Sequence, residues 1–549
     1  MKKVLSLVIC VLMLVSVLAC TSTPAVETKP NQDTTQPAGT QVKTDNGTTT
    51  SQTTEAQGKT EATPVYGGTL RVGVMYNDAT SMLTFALRQG QDYLITSGCY
   101  ETLLRYNEEG DLKPFLCEEF NSDPATKSVT IKLREGIKFH DGSVLDAEVL
   151  KWNLDTYKET GVFKSSLAAI ESVEVIDNLT CVLHLVNWDS TFKYFFVRGP
   201  GFIMSKKAYE ENGPEYCATH PVGTGPFKFV SWDTDVKATF ERFDDYWQGK
   251  PYLDKVEFIV YATDEVAQAA MEANEVDVIH DAYYTMVQNL AAKGFNISYS
   301  IIPQNAMTAV YCMTNPDDPC YDVRVRQAIS HAVNGSDIVY VIGGETAVES
   351  NQYAAPGTLY YSDKVKGYEY NPEKAKELLK EAGYEKECPI TIHVNGANTR
   401  FITCAQIIAD QLEKVGFKVT LDTYDSAVGT AMVANWGDGV FIHSMYLDIG
   451  AGSQIANNYR QGLSAGLGIT SFTHTDELND IIVRAMAADD ATSVELFGDA
   501  SHLIFDEYCM AKAYGVFPVK GIKNPKVHDD GIDVISNSIA TLWKCWIEQ

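Results

Sequence analysis

The stretch Leu133-Arg134-Glu135-Gly136-Ile137-Lys138-Phe139-His140-Asp141-Gly142 decides how this 549-residue chain is read. Leading into it, Val129, Ile131 and Leu133 alternate with polar residues, the period of a strand with one buried face. Asp141-Gly142 then supplies a turn dipeptide. Just beyond, Asp146 is placed to cap a helix whose apolar face includes Val149, Leu150 and Leu154. Strand end, turn and helix start follow one another closely, so these residues shape a fold and do not form a site.

Outward from this junction the chain falls into two styles. Towards the N-terminus, Gly67-Gly68-Thr69-Leu70-Arg71-Val72-Gly73-Val74 reads as a strand opened by a glycine turn, and short strands alternate with a few helices through residue 310. Pro221 to Pro226 sets two glycines between prolines, a tight backbone path. After residue 320 the pattern is more plainly α/β. Asp322 caps a helix with Val325, Ala328, Ile329 and Val333 on one face. Asn371-Pro372 starts another through Ala375, Leu378, Leu379 and Ala382, and Gly383 stops it. A strand at Ile390 to Val394, a helix carrying Ile407, Ile408, Leu412 and Val415, and a strand from Lys418 to Tyr424 make a β-α-β unit, which requires a parallel sheet. The style changes near residue 315, without an internal repeat. The length predicts about three domains' worth of folded material.

Acidic residues number 72 against 44 basic ones, a formal charge of −28. No basic stretch offers a footprint for phosphate backbones, which argues against nucleic acid and, on the same ground, against anionic head groups as partners. At the N-terminus Lys2 and Lys3 precede an apolar run, Val4 to Leu18, with the marks of a secretory signal. As a helix that run reaches roughly 22 Å, short of the ~30 Å hydrocarbon core. Val17-Leu18-Ala19-Cys20 resembles a bacterial lipobox, with Cys20 as lipid acceptor and Leu18 where a small residue is more usual. Residues 21–63 hold fourteen threonines, no aromatic residue and only Val26 and Val42 among larger aliphatics, a composition that cannot bury enough surface to order itself. Such a leash spans roughly 35 Å. Twelve cysteines show no CxxC and no dense framework. Export permits pairing, Cys312 with Cys320 included, but the spacing favours buried free thiols.

Several stretches carry a family resemblance. Tyr100-Glu101-Thr102-Leu103-Leu104-Arg105-Tyr106 with Gly110-Asp111-Leu112-Lys113-Pro114, the Leu133–Gly142 run with Asp146-Ala147-Glu148-Val149, and Pro221-Val222-Gly223-Thr224-Gly225-Pro226-Phe227 are three of them. Asp245-Tyr246-Trp247 with Gly249-Lys250-Pro251-Tyr252-Leu253-Asp254-Lys255, Glu275-Val276-Asp277, Asp322-Val323-Arg324-Val325-Arg326-Gln327-Ala328 and the Tyr370–Tyr384 helix complete the set. In that order they resemble the family 5 extracellular solute-binding proteins, the dipeptide-, oligopeptide- and nickel-binding components of bacterial ABC importers. The resemblance implies an α/β, two-lobed periplasmic-binding-protein-like fold, type II of the large peptide-binding cluster, with an extra subdomain on the first lobe. It divides the chain into a lipoprotein signal (1–19), lipidated Cys20 with its linker (20–63), a first lobe (64–108, 218–313 and 520–549), a subdomain (109–217) and a second lobe (314–519).

The implied function is a substrate-binding lipoprotein, monomeric, tethered to the cell membrane on its outer face or in the periplasm. It would capture short peptides and deliver them to permease and ATPase subunits, with no cofactor, no metal and no covalent chemistry of its own. A nickel chelate, an oligosaccharide or a sensory role are the alternatives. In peptide-binding relatives an Asp of the second lobe takes the amino terminus. Asp448 falls on it here, in Trp436-Gly437-Asp438-Gly439-Val440-Phe441-Ile442-His443-Ser444-Met445-Tyr446-Leu447-Asp448, although Met445 and Leu447 depart from the family's Trp and Ala and no proline follows. Arg400 is the candidate for a ligand carboxylate, and Tyr311, Trp436, Tyr446 and the Tyr283-Tyr284 pair are candidate walls. His443 is the one histidine singled out; no set of histidines has metal-ligand spacing. Gly462-Leu463-Ser464-Ala465-Gly466 matches a nucleophile-elbow pattern, but the flanking Ala456–Gln461 and Leu467-Gly468 supply neither the buried strand nor the helix an elbow needs, so a serine hydrolase is only a remote alternative.

Overall fold

The strand leading into the decisive stretch, Ser128–Leu133, buries Val129, Ile131 and Leu133 and leaves the intervening residues partly open. It is the second strand of a four-stranded antiparallel sheet ordered Cys117–Asp123, Ser128–Leu133, Thr180–Leu185, Ile170–Val175. The helix Ala147–Thr160 starts where the Asp146 carboxylate accepts the Val149 N–H, and it buries Leu150, Leu154 and Tyr157. This computed structural model describes residues 63–75, 79–88, 91–107, 111–300, 305–396, 398–425, 436–446, 450–461, 475–529 and 542–548. All of them fall within the unit Thr63–Gln549. The signal, Cys20, the leash up to Ala62 and the Gly462–Gly466 pattern lie outside the described residues.

Four resemblance stretches meet around one buried carboxylate. Glu101, fully buried, accepts hydrogen bonds from Tyr246 Oη at 2.7 Å, Thr224 Oγ1 at 2.8 Å and Trp247 Nε1 at 2.9 Å. Arg134 donates to the Phe115 carbonyl at 2.7 Å and lies over the Trp247 ring. His140 closes the arrangement: its Nε2 bonds the Gly225 carbonyl at 2.8 Å and its backbone N–H the Gly223 carbonyl at 3.0 Å. The glycines of Pro221–Phe227 are required by contact. A Cβ on Gly223 would stand 2.2 Å from the Cys99 carbonyl oxygen, and one on Gly225 would stand 2.6 Å from that of Gly98. One apolar core runs from Leu70 and Val72 through Ile131 and Leu183, so the subdomain is fused to its lobe.

Two larger sheets define the lobes. The first is ordered Phe227–Asp233, Lys237–Arg242, Lys255–Tyr261, Thr69–Met75, Val278–Ile279, Lys520–Lys523, Asn296–Tyr299, with Thr69–Met75 parallel to both neighbours. The second is ordered Val348–Glu349, Ala511–Phe517, Asn305–Tyr311, Val440–Tyr446, Cys388–Asn395, Phe417–Tyr424. Its Cys388–Asn395 and Phe417–Tyr424 strands are parallel and joined by the helix Thr399–Glu413, the β-α-β unit read from the sequence. Asp322 and Asn371 cap their helices as expected, and Gly383 turns the chain at φ +97°. Cys312 and Cys320 are both buried free thiols, as are Cys99, Cys117, Cys181, Cys217, Cys388, Cys404 and Cys509. Among the described residues no helix is long and apolar enough to cross a membrane.

The lobe border expected at 313/314 moves. Asn305–Tyr311 pairs on one side with Val440–Tyr446 and on the other with Ala511–Phe517, both second-lobe strands, so the chain changes lobe between Tyr299 and Asn305. Its return lies between Phe517 and Lys520. The two crossings are fastened to each other: Ser300 N–H donates to the Val519 carbonyl at 2.9 Å, and Val519 N–H to Ser300 Oγ at 2.9 Å.

Burial pushes the His140 imidazole down to about 4, against an ordinary 6.5. The unfolded chain therefore takes up a proton that the native state refuses, and the stability present above pH 6.5 is lost as pH falls towards 4. The urea midpoint should decline from pH 7 to about pH 4.5, and His140→Gln should flatten that decline. An equal slope in the variant would remove His140 as a cause.

Candidate ligand-binding cleft

The lobes touch on two flanks. Beside the crossings, the first-lobe segment Asp281–Tyr284 meets the second lobe. Ala282 N–H donates to the Lys520 carbonyl at 2.8 Å, which ties this segment to the crossing strand. Across the gap stands Arg400, in the first turn of the helix Thr399–Glu413 capped by Asn398. Its guanidinium bonds Asp281 Oδ1 at 2.9 Å and Oδ2 at 3.3 Å, and also the Asp281 carbonyl at 2.9 Å. The Tyr283 ring lies under it at 4.5 Å. Tyr284 abuts Gly344 of the second lobe, where a Cβ would fall 1.9 Å from the tyrosine Cζ and φ is +61°. Only glycine lets the lobes approach this closely.

Two further ionisable groups share this flank. Burial pushes the Asp264 carboxyl up to about 6, while Arg400 pulls it down. Burial, helped by the charge of Arg400, pushes the Lys520 ammonium down to about 8.

On the far flank the subdomain reaches the second lobe. Ser190 and Ser493 hydroxyls lie 2.8 Å apart, both buried, and Ser190 Oγ also donates to the Ala485 carbonyl at 3.1 Å. Trp188 Nε1 donates to the Ala488 carbonyl at 3.1 Å, and Lys193 pairs with Asp490 at 2.6 Å. Tyr194 meets Tyr360 edge to face at 6.4 Å. Beside these contacts lies a cavity of about 380 Å³ lined by Trp188, Asp189, Phe192, Lys193 and Asp490 among others.

The candidates read from sequence are not all on the cleft. Asp448 lies outside the described residues. Tyr446 ends the strand Val440–Tyr446, its backbone opposite Asn305. Tyr311, expected beside a crossing, is 0% exposed in the second-lobe core, with its hydroxyl 3.0 Å from Ser330 Oγ. It follows from the displaced border that this tyrosine is interior packing and not a wall. Trp436 is likewise 4% exposed, its ring 5.6 Å from Phe441, which in turn stacks on Tyr424. Both aromatics are corrected to core. Burial pushes the His443 imidazole down to about 4. Arg400 and Tyr283 do face the other lobe, but against each other and Asp281.

The second-lobe segment leading towards Asp448 is firmly held. His393 bonds Asp422 at 2.8 Å through Nδ1 and Asp438 at 2.9 Å through Nε2. Asp318 Oδ2 accepts the Gly439 N–H at 2.8 Å, and Gly439, at φ +64°, would place a Cβ 2.1 Å from the Thr391 carbonyl oxygen. Sequence reasoning missed Asp281 altogether. Nothing around it marks a partner 119 residues away.

The model for bacterial extracellular solute-binding proteins, family 5 middle, matches residues 111–464. The glutathione-binding protein GsiB of Pectobacterium atrosepticum is 27% identical over 387 residues, covering 68% of this chain and 73% of that protein. The periplasmic binding protein DppA of Helicobacter pylori, solved with the peptide STSA, shares the fold with a TM-score of 0.75 at 24% identity, covering 88% of this chain and 99% of that one. The oligopeptide-binding protein AppA of Bacillus subtilis, solved with a nonapeptide, gives 0.74 at 20% identity, covering 89% and 100%. With two lobes joined by two fastened crossings, and with the family model matching well over half its length, this chain belongs to the bacterial extracellular solute-binding proteins of family 5.

Proposed function

We propose that the protein is the substrate-binding component of an ABC importer, capturing short peptides between its lobes and handing them to a membrane permease, with ATP hydrolysis left to the importer's ATPase. The observation that carries this reading is the pair of crossings at Ser300 and Val519, the connection between two lobes that touch on both flanks. Such a body binds by closing, and its closed population rises only for a ligand that prefers the closed form. Peptidic cargo is supported by the relatives: one carries glutathione in its name, and two structures hold peptides. The protein acts by binding and release, not by covalent chemistry, and works as a monomer. Lipid on Cys20 and the threonine-rich leash tether it at the outer face of the membrane. Asp448 is the group assigned to the peptide ammonium, with Tyr446, two residues earlier in the chain, as a wall.

Short peptides should raise the melting temperature by mass action, in proportion to RT ln(1 + [L]/Kd). A library of dipeptides to pentapeptides screened by differential scanning fluorimetry checks this. A shift with chelates or sugars and none with peptides would replace the cargo. Asp448→Asn should weaken peptide binding about tenfold or more, the loss expected when an ammonium loses its carboxylate, measured by calorimetry. Unchanged affinity would take Asp448 out of the site.

A further inference from the structure

Arg400 carries the expectation of meeting a cargo carboxylate, yet its donor fork already holds one. Both carboxylate oxygens of Asp281 and the Asp281 backbone carbonyl lie within 3.3 Å of its terminal nitrogens. This is bidentate geometry with an added main-chain acceptor, the strong form of an arginine contact. The partners are 19% and 24% exposed, so solvent screens them less than a surface pair. Tyr283 covers the guanidinium from below.

The backbone is bent to make this contact. Asp281 sits at φ +54°, a left-handed conformation that side chains other than glycine rarely adopt. In that conformation its carbonyl and its side chain both meet the same arginine. Asp264 and Lys520 are further charged groups on this flank, and Glu265 adds its charge beside Asp264. An anion arriving at Arg400 would have to displace Asp281 and then stand beside the Asp264 and Asp281 carboxylates. The two partners also belong to different lobes, and Asp281 is joined to the crossing strand through Ala282.

We propose that Asp281 is a built-in carboxylate for Arg400, a latch that closes the lobes beside their crossings and frees the cargo from supplying a carboxylate at this point. The protein then accepts peptides whose carboxyl end is blocked as readily as free acids. This specificity rests on the peptide-binding reading above, whereas the latch itself does not.

The test uses the full chain and Asp281→Asn, a substitution that preserves shape, removes the charge and places at the left-handed position a residue that tolerates it. Without cargo, small-angle X-ray scattering should show a larger radius of gyration for the variant than for the parent, with equal unfolding midpoints verifying the fold. By calorimetry, a peptide and its carboxyl-terminal amide should bind the parent with affinities within about threefold. The variant, its arginine no longer neutralised by a carboxylate, should prefer the free acid about tenfold or more. Identical scattering curves overturn the latch, and a parent that already prefers the acid tenfold overturns the specificity. If neither peptide binds either protein, the peptide reading falls and the specificity with it, while the scattering comparison still decides the latch.

Discussion

Glu101 is a carboxylate sealed from water, and the first lobe is organised by what that requires. Burying a carboxylate is unfavourable by several kcal/mol unless donors replace its hydration. Here burial raises its pKa, against Arg105 and three donors that pull it down. Those donors come from Thr224, Tyr246 and Trp247, between 123 and 146 residues along the chain. None can be withdrawn without leaving the oxygens or a buried partner unpaired. The same requirement presses the backbone of Gly223 and Gly225 against Gly98 and Cys99 and sets His140 over it. The Gly98 carbonyl in turn accepts the Phe227 N–H at 2.9 Å, which leads the chain into the first strand of the lobe's sheet. First lobe and subdomain thereby become one packed body, and relative motion is left to the two crossings.

What was legible in the sequence was local. Asp146, Asp322 and Asn371 announce helix starts because a side-chain oxygen two or three residues ahead of a free N–H needs no tertiary context. The alternation at Val129, Ile131 and Leu133, and the β-α-β unit ending at Tyr424, are periodic over a few turns or residues and survive folding unchanged. The lobe border was not legible, for a physical reason. Ala306, Met307, Ala309, Val310 and Tyr311 form an apolar run that satisfies either sheet equally well, and only pairing with Val440–Tyr446 and Ala511–Phe517 assigns it. Tyr311 and Trp436 share that difficulty, since an aromatic ring reads the same in a core as on a wall. Asp281 was invisible because its role depends on a backbone conformation and on an arginine from the other lobe.

The contacts between the lobes are of a size that suits reversible closure. A neutral hydrogen bond contributes about 0.5–1.5 kcal/mol net, and an exposed ion pair about 0–1 kcal/mol. The far flank offers the Ser190 and Trp188 bonds and the Lys193–Asp490 pair, whose aspartate is 70% exposed. Together these come to a few kcal/mol, before the ordering of side chains is set against them. A ligand of micromolar affinity releases about 8 kcal/mol. The polar contacts of the far flank are thus weaker than the hold of such a ligand, and Tyr194, with Tyr106, Leu112 and Phe195 beside it, adds apolar packing against the second-lobe core. Buried serines, one arginine fork, a glycine that admits Tyr284 and this limited apolar contact hold the lobes in register, while most of the apolar surface of each lobe is committed to its own core.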